Sequence, residues 1–134
     1  KAFEAMKISS TKDHPTSPWN YTRYTQIGYY PWNLEHESVS KTLESAFNDW
    51  CVAQMAKKYG TDADIIEFSR RAGFYKNLFN TEAGLMYPKN DKGEWKQNFN
   101  PRLVPEYDRD ITEGNSWQYT WSVQHDIPGL IDLY

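Results

Sequence analysis

A chain of 134 residues is long enough for one domain with a real core. Its formal net charge of -3 comes with no basic run, so it lacks the clustered Lys and Arg that phosphate binding needs, which argues against a nucleic-acid partner. No stretch approaches the roughly 20 apolar residues of a membrane span, and no charged-then-apolar leader opens the sequence.

Ile, Leu, Val and Phe together supply only 24 residues, a share typical of disordered chains, but the 10 Tyr and 6 Trp make up the deficit. Each such ring buries on the order of 150–250 Å². An aromatic core is therefore expected. Rings with a polar tip also suit sugars, whose C–H faces stack on them, although ordinary packing accounts for most Trp and Tyr. Cys51 is the only cysteine, which leaves no intrachain disulfide and no cysteine-based zinc site.

In chain order, residues 2–8 read as the end of a helix. A loop follows that carries Pro15, Pro18 and Pro31 among Trp19, Tyr21, Tyr24, Tyr29, Tyr30 and Trp32. The strongest helix spans 39–59, where Val39, Leu43, Ala46, Phe47, Trp50, Cys51, Met55 and Tyr59 fall on one face. Cys51 is accordingly expected to be a small buried hydrophobe. Lys57 and Lys58 complement the dipole in the last turn, and Gly60 is expected as a left-handed cap.

Thr61 can cap a second helix, with Asp62 and Asp64 in its electropositive first turn and a stripe of Ile65, Phe68, Ala72, Tyr75 and Phe79. So short a link predicts an antiparallel helical hairpin. Residues 80–84 read as a turn. From 84 to 114 the pattern breaks at Pro88, Pro101, Pro105 and a polar turn at 90–93. Irregular chain of that length is more often functional than filler. Trp117, Tyr119, Trp121 and Val123 come next, then Asp126 as the cap of a closing helix with Ile127, Leu130, Ile131 and Leu133. Pro128 is tolerated there in the first turn. A helix-like opening and an apolar ending read as one piece, 1–134, of something larger.

Most of the 18 acidic residues lie on predicted solvent faces or in polar turns, as Glu44, Glu67, Asp91 and Glu94 do. Glu113 differs. It follows a loop, precedes aromatic residues able to desolvate it and raise its pKa, and is followed by Gly114, which would admit a ligand close to the backbone. The competing reading is that Thr112 or Asn115 caps a helix and Glu113 only favours its positive end. Spacing leaves both open. His125 beside Asp126 could be an acid–base pair, but a capping Asp accounts for the same residues. His14 and His36 sit in loops without helically spaced partners, which disfavours a histidine metal site. Oxygen ligands for calcium have no fixed spacing from which to locate them.

Three blocks resemble glycoside hydrolase family 92, the calcium-dependent exo-α-mannosidases. They are Val39-Ser40-Lys41-Thr42-Leu43-Glu44 leading to Asp49-Trp50-Cys51, then Tyr75-Lys76-Asn77-Leu78-Phe79, then Thr112-Glu113-Gly114-Asn115-Ser116-Trp117-Gln118-Tyr119-Thr120-Trp121. His125-Asp126-Ile127-Pro128-Gly129-Leu130 extends the last, and the blocks occur in family order. The resemblance implies an all-α fold, a portion of an (α/α)₆ barrel with long irregular loops. It also implies inverting release of terminal α-linked mannose from glycans, an α-1,2-mannosidase being one form, and a bound calcium whose ligands are not locatable in this chain. Residue by residue it implies Glu113 as general acid, with Asn115, Trp117 and Gln118 lining the substrate site. The base carboxylate and a sugar-binding His/Glu-containing motif come later in the family than this chain reaches, so the chain alone is expected to be inactive, to need the remainder of its parent, and to self-associate through uncovered apolar faces. A secreted, periplasmic or cell-surface bacterial location is implied too. Two departures stand out: Tyr87, in Gly84-Leu85-Met86-Tyr87, replaces a frequent arginine, and Val123-Gln124 stands where Val-Pro is common. The alternative is a non-catalytic carbohydrate-binding or interaction domain using the rings between Trp19 and Trp32 as a stacking platform.

Overall fold

The computed structural model describes residues 1–16, 19–104 and 109–134, so the expected loop prolines Pro18 and Pro105 lie outside the described residues. Six α-helices dominate: α1 (Ala2–Ser9), α2 (Tyr21–Ile27), α3 (Ser38–Tyr59), α4 (Asp62–Ala72), α5 (Ser116–Tyr119) and α6 (Ile127–Ile131). A 3₁₀ turn, Phe74–Leu78, links α4 to strand β1 (Phe79–Asn80), which pairs antiparallel with β2 (Leu85–Met86), Phe79 opposite Met86. The expected all-α character holds apart from this short ribbon.

The hairpin of α3 and α4 is the frame. Phe68 of α4 packs with Val52, Ala53 and Ala56 of α3 and Phe3 of α1, with Met55 and Ile65 at the margin. This rotates the buried face away from the expected stripe. In the second half of α3 the small Ala53 and Ala56 face the core, Trp50 and Tyr59 are exposed, and Cys51 is only half-buried. Small residues let the neighbouring helices approach closely, which a seam of Trp and Tyr does not. Gly60 shows the same tightness. It is extended (φ -107°, ψ -165°) rather than left-handed, and a Cβ there would lie 2.8 Å from the Phe3 ring and 2.9 Å from Ala56.

Thr61 caps α4 as expected, in a full capping box with Asp64. The helix stops at Ala72, so Tyr75 of the predicted stripe reaches the core from the 3₁₀ turn. That main core gathers Tyr29, Val39, Leu43, Ala46, Tyr75, Leu78, Phe79, Met86, Ile111, Val123 and Leu130.

The segment expected to be a proline-broken loop contains α2, capped by Asn20, whose side chain accepts from the Arg23 N–H, and closed by left-handed Gly28. Its rings do not form an open platform. Tyr24, Tyr30 and Phe74 are buried together with Trp19 and Tyr21 packed on them, and Tyr24 stacks on Tyr30 at 5.0 Å. The phenol of Tyr24 donates to Asp49 (3.0 Å), which also pairs with Arg71, so one buried polar knot ties α2, α3 and α4. Burial raises the Asp49 carboxyl to about 7 against the opposing pull of Arg71 and then Tyr24.

Candidate active site

Glu113 lies in a two-residue gap between two rigid clamps. On its N-terminal side the first turn of α3 grips residues 109–112. The Glu37 N–H donates to the Arg109 carbonyl (2.8 Å), and the Val39 N–H to the Asp110 carbonyl (2.9 Å). Buried Ser40 accepts the Thr112 N–H on its Oγ (2.8 Å). Asp110 takes Lys96 Nζ on one carboxylate oxygen (2.7 Å) and the Ser38 hydroxyl on the other (3.3 Å), while Ile111 is sunk in the main core.

On its C-terminal side Asn115 caps α5 in a reciprocal box. Asn115 Oδ1 accepts the Gln118 N–H (3.2 Å), and Gln118 Oε1 accepts the Asn115 N–H (3.1 Å). The Asn115 amide donates on to the Arg102 carbonyl (3.2 Å). Ser116 and Thr120 face inward and hold β2: the Ser116 hydroxyl donates to the Met86 carbonyl, and the Met86 N–H donates to Thr120 Oγ1 (3.0 Å). Gly114 does not leave a ligand path, since a Cβ there would meet Gln118 Oε1 at 3.0 Å and the Tyr119 ring at 3.3 Å. It is the room the capping box needs.

Between these clamps Glu113 takes φ 51°, a left-handed conformation that costs an L-residue about 1–2 kcal/mol. Its exposed side chain makes no hydrogen bond or ion pair among the described residues. Glu37, also left-handed at φ 57°, is rewarded by Arg109 Nε at 3.0 Å; Glu113 has no such return among the described residues. The sequence offered no warning of this strain, because a non-glycine left-handed residue is imposed by its flanking anchors.

The aromatic shelter expected for Glu113 is not built by the described residues. Capping by Asn115 turns Ser116 and Thr120 inward, so Trp117 and Trp121 point outward, 50% and 61% exposed. Trp117 lies under the Arg102 guanidinium at 5.9 Å, and Trp121 stacks on Tyr134 at 6.0 Å. A cavity of about 410 Å³, lined by Phe3, Met55 and Tyr59 among others, lies at the opposite end of α3. Glu113, Asn115, Trp117 and Gln118 thus share one short segment, with the side chains of Asn115 and Gln118 engaged in the cap.

The two carboxylates buried among the described residues are also engaged, Asp49 by Arg71 and Asp110 by Lys96. Asp126 caps α6, accepts the Tyr75 hydroxyl (2.8 Å) and lies 3.4 Å from Lys76 Nζ. His125 does not pair with it: His125 Nε2 donates to the Ala72 carbonyl (2.9 Å), with its ring among Phe47, Trp50 and Tyr75. His14 bonds locally to Thr16. Among the described residues no three His, Cys, Asp or Glu side chains gather as a metal site, so the implied calcium finds no such ligand set here. No helix among them is long and apolar enough to cross a membrane.

Comparison with known proteins agrees with the three sequence blocks. The model of the glycosyl hydrolase family 92 catalytic domain matches residues 1–134. A solved inverting mannosidase of this family from Bacteroides thetaiotaomicron superposes with a TM-score of 0.91 at 34% identity, over 98% of this chain and 18% of its own. A family 92 α-mannosidase of the same organism gives 0.90 at 40% identity, over 98% of this chain and 17% of its own. It has also been solved with mannoimidazole, and that complex gives 0.89 at 39% identity. An uncharacterized secreted glycosidase of Arthroderma benhamiae is 23% identical over 139 residues, covering 82% of this chain and 18% of that protein. The chain therefore spans about a fifth of the length of these relatives. On the match along its whole length, and on a fold shared at 34–40% identity, this chain belongs to the glycosyl hydrolase family 92 catalytic domain.

Proposed function

We propose that these residues are the acid-bearing portion of a secreted exo-α-mannosidase in which Glu113 protonates the glycosidic oxygen as terminal mannose departs. The observation that carries this reading is the unrewarded left-handed backbone of Glu113, held between anchors on α3 and α5. Backbone strain with no local return is the usual mark of a site selected for something other than stability.

Inverting hydrolysis needs the acid on one face of the sugar and a base about 6.5–9.5 Å away that activates water on the other. Following the family resemblance, and because this chain spans about a fifth of its relatives' length, we assign the base to other residues of the parent enzyme, along with the calcium ligands and the remaining wall of an (α/α)₆ barrel. We assign Trp117 to that wall; its exposed ring is free to be covered when the rest of the domain closes over it. The exposed apolar residues that follow it, Trp121, Ile127, Ile131 and Tyr134, would be covered by the same closure and would drive self-association in its absence.

The test is Glu113→Gln in the complete enzyme. Turnover of an α-mannobiose, whose leaving sugar needs a proton, should fall about 10²–10⁴-fold, while an activated dinitrophenyl α-mannoside should be spared most of that loss. Equal activity of the variant and the parent on the mannobiose would reject the assignment.

A further inference from the structure

We propose that Ser40 is a positioning residue for proton donation, aiming Glu113 through the backbone of Thr112; the inference rests on the acid assignment above. Ser40 is 1% exposed in the first turn of α3, and its Oγ takes the Thr112 N–H at 2.8 Å.

The fold does not need this bond to hold the segment in place. Residue 110 is already fixed by its carbonyl, which accepts the Val39 N–H, and by Lys96 and Ser38 on its carboxylate, and residue 111 is fixed by burial. What Ser40 adds is the orientation of the Ile111–Thr112 peptide, one residue ahead of Glu113. On the far side the Ser116 N–H donates to the Pro101 carbonyl (3.1 Å) and Asn115 is locked in its cap, so the exit from Gly114 is fixed as well. With both ends set, the backbone through Thr112, Glu113 and Gly114 must close a short fixed span, and Glu113 does so at a φ of 51°. Without the Ser40 hydroxyl the Ile111–Thr112 peptide can turn, the anchor one residue before Glu113 loosens, Glu113 can relax out of the left-handed region, and its carboxyl leaves the line to the departing oxygen.

The experiment compares Ser40→Ala, Glu113→Gln and the double variant in the complete enzyme, each assayed on an α-mannobiose and on a dinitrophenyl α-mannoside. Ser40→Ala should lower kcat on the mannobiose about tenfold to a hundredfold, the range expected for a misplaced catalytic group, with KM nearly unchanged and the activated substrate spared. The double variant should be no slower than Glu113→Gln alone. Because the readout is a ratio between two substrates on one sample, partial unfolding, which lowers both alike, cannot imitate it. Ser45→Ala, another buried serine on α3, is the control and should leave the ratio unmoved. Ser40→Ala depressing both substrates equally, or the two substitutions multiplying, would overturn the positioning role while leaving Glu113 as the acid. A Glu113→Gln enzyme with undiminished mannobiose turnover would overturn both.

Discussion

Arg71 reaches from α4 to Asp49 on α3, its Nη2 2.7 Å from Oδ1 and its Nε 3.0 Å from Oδ2, with both side chains 1% exposed. Arg71 also donates to the Ser10 carbonyl and lies over the Tyr24 ring at 5.7 Å, so one guanidinium touches every helix of the N-terminal half. Removing Arg71 leaves Asp49 buried without its cation, so that it must carry an unpaired charge or take up a proton, either at a cost. Arg71→Met should therefore cost about 3–5 kcal/mol, and adding Asp49→Leu should recover much of the loss. Denaturant midpoints of the two single variants and the double variant decide it.

Gly60→Ala should destabilise by about 1–3 kcal/mol, since the new methyl must enter space held by Phe3 and Ala56 at 2.8–2.9 Å. The same substitution at Gly93, which faces no atom within 4 Å, separates crowding from backbone strain at a positive φ. Thermal melts of the two variants compare these costs.

Glu113→Asn should abolish turnover of a poor leaving group while matching or exceeding the parent in stability, by about 0.5–1 kcal/mol, because Asn enters the left-handed region more readily than Glu. A lower unfolding midpoint in Glu113→Asn would contradict the strain assigned to this residue.

Lys7 hydrogen-bonds to Asp64 at 2.7 Å and, with the Thr61 N–H and hydroxyl, holds that carboxyl down at about 2. A carboxyl depressed below its ordinary value of about 4 adds stability that is present above that value and is lost as pH falls toward 2. Asp64→Asn should accordingly flatten the loss of stability between about pH 4 and pH 2 relative to the parent, measured by urea unfolding across that range.

Much of the fold was legible where local chemistry decides the outcome. The helix expected over 39–59 is Ser38–Tyr59, and the caps at Thr61 and Asp126 formed as read, because a side-chain oxygen three residues before a free N–H is a local matter. Helix α2 was hidden because Thr22, Arg23, Thr25 and Gln26 give it no apolar period, although Asn20 and Gly28 marked its ends. The face of α3 was misjudged because large rings look like core in a sequence, whereas packing against α1 and α4 selected Ala53 and Ala56. For the candidate site, the segment carrying Glu113 was legible from its family blocks. Its conformation was not, being set by Ser40 and Asp110, which lie far from one another along the chain.

That separation has a bearing on biosynthesis. The bonds joining Glu37, Ser38 and Ser40 to Arg109, Asp110 and Thr112 each span 72 residues, whereas the α3–α4 hairpin closes through two. On a ribosome the hairpin can form as soon as it emerges, but the turn at Glu113 must wait for a distant stretch of backbone to return to a helix made long before. The nascent polypeptide thus acquires the α3–α4 frame before the left-handed turn at Glu113.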